Sequence, residues 1–127
     1  MKKQINMTTH HYDLDRYQDQ DQEEVSAFVK KFNCGGLEVM HRVNGDRDFF
    51  HPDMVTGVHL RYFTDWVDFW RGNKEALLRE YGSEEAYCKV YGGKDREVLL
   101  QTIREDLEYA KSLQASYVVF HVSDIKI

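Results

Sequence analysis

At 127 residues the chain has the length of one ordinary domain, and 42% hydrophobic with 13% aromatic residues excludes a disordered chain. Its formal net charge of −5 leaves no basic excess to track phosphates, which speaks against nonspecific nucleic-acid binding. After Met1-Lys2-Lys3 the residues Gln4, Asn6, Thr8, Thr9 and His10 interrupt any signal-peptide core, and no later apolar run approaches membrane-spanning length. A cytoplasmic protein without a membrane partner is expected. Cys34 and Cys88 show neither metal nor redox spacing and are expected to be free, buried thiols.

Gln4 to Thr9 sets Ile5 and Met7 between polar neighbours, the alternation of a first strand, and a polar loop follows from Thr8 to Asp15. Asp21 opens a helix. Glu24 stands in its capping box, Val25, Phe28, Val29 and Phe32 make one apolar stripe, and Asn33-Cys34-Gly35-Gly36 ends it. Leu37 to Met40 is a second strand, the polar stretch from His41 to Asp53 a loop, and Val55 to Leu60 a third strand. The aromatic segment from Tyr62 to Trp70 begins a helical insertion at about 62–93, with short helices capped by Thr64 or Asp65, by Asn73 and by Ser83. Asp95 caps the longest helix, on which Leu99, Ile103, Leu107, Ala110 and Leu113 recur at helical spacing. The last strand, Tyr117 to Val122, reads apolar on both faces at Tyr117-Val118-Val119-Phe120, as a strand buried between helices does. Strands alternating with helices imply an α/β fold with a parallel sheet and right-handed crossovers.

Residues i and i+2 of a strand share a side. Val55, Gly57 and His59 are therefore expected on one face of the third strand, Tyr117, Val119 and His121 on one face of the last, and Glu38 with Met40 on one face of the second. If the purely aliphatic sets pack on helices, Glu38, His59 and His121 converge on the opposite, inner face. Two imidazoles at strand ends could ligate one divalent ion with a carboxylate nearby, although the ordinary place of a lone histidine there is a hydrogen-bonded core or loop position. Glu38 is costly to bury unpaired and implies a partner, a metal or water. His10 and His11 could join such a site, or stand as solvated loop residues at its rim. Trp66, Phe69 and Trp70 fit one helical face packed on the core, or a lid that excludes water or stacks on a sugar ring. Asp46, Arg47 and Asp48 read as a charge cluster solvating a loop.

At Gly36-Leu37-Glu38-Val39, Gly57-Val58-His59-Leu60 and Tyr117-Val118-Val119-Phe120-His121 the sequence resembles the xylose-isomerase-like TIM-barrel superfamily of sugar and sugar-phosphate isomerases and epimerases and endonuclease-IV-type enzymes. Tyr62 to Gly72 is similar to an insertion of bacterial sugar isomerase-like members, and the resemblance runs essentially the whole length. It implies that residues 1–127 are a partial TIM-barrel domain, four parallel strands with helices on the outer face, because a complete (β/α)8 barrel takes about 250 residues. The implied function is the N-terminal portion of a metal-dependent sugar or sugar-phosphate isomerase or epimerase, moving a proton next to a metal-polarised carbonyl. Glu38 would be catalytic, His59 and His121 would ligate a divalent metal (manganese, zinc, magnesium or cobalt), and His10, Tyr62, Trp66 and Trp70 would bind the sugar. The family's principal ligands and proton-transfer carboxylates lie on later strands, so this chain's metal site is expected to be incomplete and the chain alone inactive. In the endonuclease-IV branch the histidines ending strands three and four are ligands, and His59 with Tyr62 matches its His-x-x-Tyr. That gives a zinc phosphodiesterase as the alternative, against which the acidic charge and the insertion count. A non-catalytic half-barrel assembling as a homodimer is the third reading.

Overall fold

The computed structural model describes residues 3–15, 22–42, 44–63 and 65–122. Strands β1 (Gln4–Thr8), β2 (Gly36–Met40), β3 (Val55–His59) and β4 (Tyr117–Val119) form one sheet, parallel throughout, in the order β1-β2-β3-β4. The helices are α1 (His11–Leu14), α2 (Gln22–Lys31), α3 (Val67–Arg71), α4 (Lys74–Tyr81), α5 (Glu84–Tyr91) and α6 (Glu97–Ser112). Each strand lies beside its predecessor in the chain. That order is sequential, whereas a doubly wound sheet reverses at a switch point.

The chain divides into two compact units, Met1–Arg61 with Asp106–Phe120 and Tyr62–Glu105 with His121–Ile127. In the first, Leu37 and Val39 of β2 and Val55 and Val58 of β3 pack with Val25 of α2 and Tyr109, Ala110 and Leu113 at the end of α6. Val55 corrects the alternation expected along β3. Leu37 pairs with Val55 but Glu38 with Gly57, so Thr56 is one extra residue in the ladder. Its single hydroxyl proton is shared between the Leu37 carbonyl, 3.1 Å away, and Gln4 Oε1. The bulge returns Val55 to the helix-packed face, where it is only 6% exposed.

Other expectations are revised by local chemistry. The polar loop after β1 contains α1, a single turn capped by His10. Phe49 and Phe50, inside the stretch read as a polar loop, are buried in the first core with their rings edge to face at 5.0 Å. They cover the sheet where the β2–β3 connection has no helix among its described residues. On α6, Leu107 is exposed and Asp106 is buried, while Phe32 of the α2 stripe is also exposed. β4 ends at Val119, and Val118, Phe120 and Val122 are exposed, so this is an edge strand with β3 as its one partner among the described strands, not a buried one. Cys34 and Cys88 are free, as expected, but half-buried.

The second unit has its own core of Phe69, Leu77, Tyr87, Tyr91 and Leu99, against which Phe63, Trp66, Trp70 and Tyr81 pack. Phe69 and Tyr91 stack at 4.1 Å. Asn73 and Ser83 cap α4 and α5 as predicted, accepting from Ala76 N at 3.4 Å and Ala86 N at 3.1 Å. Asp95 Oδ1 accepts from Glu97 N at 3.0 Å at the start of α6. The predicted Asp65 cap is not formed, because α3 begins after Trp66 without a side-chain cap. The other proposed cap, Thr64, and the expected helix start at Asp21 lie outside the described residues. Among the described residues no helix is long and apolar enough to cross a membrane.

Candidate functional site

On the sheet face opposite α2 and the end of α6, register sets Asn6 beside Glu38, Glu38 beside Gly57, and Gly57 beside Tyr117. Tyr117 lies across the bare Gly57 backbone, and a Cβ at 57 would stand 2.2 Å from the ring carbon bearing the hydroxyl. That close approach requires glycine. The Tyr117 hydroxyl then donates to Glu38 Oε2 at 2.8 Å. Burial, followed by the neighbouring Glu38 carboxylate, raises the Tyr117 pKa above the ordinary tyrosine value and keeps the phenol a donor. Glu38, predicted as the catalytic carboxylate, is thus half-buried with a fixed hydroxyl partner.

The four strands of a parallel sheet end at one edge, and here that edge is polar and ordered. Thr8 donates from its amide at 2.8 Å and its hydroxyl at 2.6 Å to Asp13 Oδ2. Thr9 is fully buried, and its Oγ1 accepts from Arg42 N at 2.8 Å and stands 3.4 Å from His41 Nδ1. The following loop crosses close over this strand end, since a Cβ on Gly45 would sit 2.2 Å from Thr9 Oγ1. After β3, Arg61 donates to both oxygens of buried Asp106, from its amide at 2.6 Å and from Nε at 2.8 Å. The end where β1 begins is apolar instead, with an open pocket of about 890 Å³ lined by Ile5, Phe28, Phe32 and Tyr117 among others.

The predicted site residues are distributed as follows. His59 closes β3, and its Nδ1 is 2.9 Å from the Leu60 carbonyl, which places the ring proton on Nδ1. His10 accepts from Tyr12 N at 3.3 Å, stacks on the Tyr12 ring and meets that of His11 at a tilt, so its local work is to cap α1. His121 belongs to the second unit, where its ring stacks on Tyr62 at 4.4 Å. Trp66 and Trp70, also in that unit, meet edge to face at 6.1 Å and are half-buried. Among the described residues no three histidine, cysteine, aspartate or glutamate side chains gather as a metal ion would need.

Sequence reasoning missed His41, although its place directly after Met40, at the end of β2, is the signal that singled out His59. It also missed Tyr109, a buried tyrosine whose hydroxyl has no hydrogen-bond partner among the described residues. The His41 ring is 5.3 Å from that of Tyr109, and the Arg47 guanidinium lies over the same ring at 5.2 Å. No protein-family model, curated protein or solved structure matches the chain.

Proposed function

We propose that this chain is the N-terminal portion of a metal-dependent sugar or sugar-phosphate isomerase or epimerase, four strands of a (β/α)8 barrel whose substrate lies at the C-terminal strand edge. One observation carries the reading. Within the first unit, three consecutive strands of the parallel sheet, β1, β2 and β3, each deliver a histidine at or just after the C-terminal end: His10, His41 and His59. That edge is where barrel enzymes hold their chemistry. The chemistry this chain's own residues would supply is proton handling at Glu38, the carboxylate on the sheet face that also carries Tyr117. Its carboxylate accepts a proton from the carbon beside a substrate carbonyl, and the Tyr117 hydroxyl holds the carboxylate in place.

Reading the coding DNA beyond the Ile127 codon tests this. Four further strand–helix units with glutamate, aspartate and histidine at their strand ends support it, and an unrelated following sequence contradicts it. A second reading, a half-barrel that closes with another copy of itself, is favoured by the exposed apolar residues Val118, Phe120 and Val122 at and beyond the β4 edge.

A further inference from the structure

Within the second unit an open pocket of about 370 Å³ lies between the end of α3, the start of α4 and the approach to α6. Its walls carry Arg71, Lys74, Lys94 and Arg96 against one acidic side chain, Asp95. The lining therefore has a formal charge of +3 in a chain whose total is −5. Net charge hides this local concentration.

Asp95 is already engaged through Oδ1 in the 3.0 Å bond from Glu97 N. Lys74 has only a long 4.0 Å contact to Glu84, and Arg71 and Lys94 have no ion-pair partner among the described residues. Arg96 lies over the Trp70 ring at 5.3 Å, which anchors both side chains at the pocket wall. Like charges held around one opening repel each other and raise the local concentration of anions. The volume is that of a small-molecule site.

We propose that this pocket binds a small organic phosphate, its phosphate on Arg71, Lys74 and Lys94 and its carbon skeleton against Trp70. The site uses residues of the second unit alone and does not rest on the barrel reading.

Equilibrium dialysis of the intact chain against glucose 6-phosphate, glucose and inorganic phosphate tests it. Glucose 6-phosphate should bind and glucose should not, inorganic phosphate should compete, and added salt should weaken binding. The double variant R71Q/K94Q should lose about tenfold or more in affinity, the loss of one good ionic contact. Both residues are exposed, so its melting temperature should match the wild type. If it does not, the charge-preserving swap R71K/K94R decides, because it should still bind. Lys111→Gln, on the exposed surface of the first unit, should bind normally. Equal affinity in wild type and R71Q/K94Q, equal binding of glucose, no competition by phosphate, or no binding at all would overturn the proposal. Tighter binding of an oligothymidylate than of glucose 6-phosphate would overturn it in favour of a nucleic-acid surface.

Discussion

Tyr117 reaches across Gly57 to donate a 2.8 Å hydrogen bond to Glu38 Oε2, tying three adjacent strands together on the face opposite α2 and the end of α6. The arrangement depends on the absence of a side chain at 57. In Gly57→Ala the new methyl would occupy the space of the Tyr117 ring, forcing it away at a cost of about 1–3 kcal/mol, as overpacking does. Tyr117→Phe keeps the ring and loses only the partly wet bond, worth about 1 kcal/mol or less. Urea denaturation should rank Gly57→Ala as the more destabilised. The reverse order would mean that the ring does not lie where the structure puts it.

Tyr91 and Tyr109, both buried, have their pKa values raised, burial being the first cause in each. The neutral phenol is the form the folded state favours. Stability from these groups is therefore fully present below the unfolded tyrosine pKa of about 10 and is lost as pH rises through the higher folded values. Melting temperature followed with phenolate absorbance should fall above that pH, with phenolate appearing as the protein unfolds. Complete phenolate formation in a protein still folded would contradict the burial.

Asp106 is a buried carboxylate with both oxygens held by Arg61. Asp106→Ala takes away the acceptor of these two bonds, and removing one member of a buried pair costs about 3–5 kcal/mol. Chemical denaturation should show a loss of that size. A change below about 1 kcal/mol would mean that water serves Arg61 equally well.

The exposed β4 edge should make the isolated chain associate. Light scattering at increasing concentration is expected to show a dimer or larger species, reduced in Val118→Lys, since a charge on an edge strand blocks pairing. A monodisperse wild-type monomer with a cooperative melt would show that this face needs no partner.

Features governed by neighbouring residues in the chain were legible in the sequence. The Asn73 and Ser83 caps, the Asp95 bond at the start of α6 and the strand–helix alternation depend on side chains a few positions away. The Thr56 bulge was not legible, because it rests on a hydroxyl reaching the carbonyl of Leu37 in another strand. The length of β4 was overread for a related reason: the propensity of Tyr117 to Val122 is high, but β3 is its sole ladder partner among the described strands. On α6 the pairing of Asp106 with Arg61 turns the helix away from its purely apolar stripe. For the candidate site, alternation puts Glu38 and Tyr117 each on a definite face of its strand, but the hydrogen bond between them joins residues 79 positions apart and is not legible in local spacing.

The claim that the C-terminal strand edge is the ligand side is tested most directly by amide NMR of the labelled chain titrated with D-fructose, an unphosphorylated ketose that avoids the basic pocket. Shift changes should fall on Thr9, His10, His41, His59 and Arg61, spread to Glu38, and be lost in His59→Ala. Changes confined to Lys3, Ile5, Phe32 and Cys34 at the opposite end, or a spectrum unmoved at saturating ketose, would contradict it.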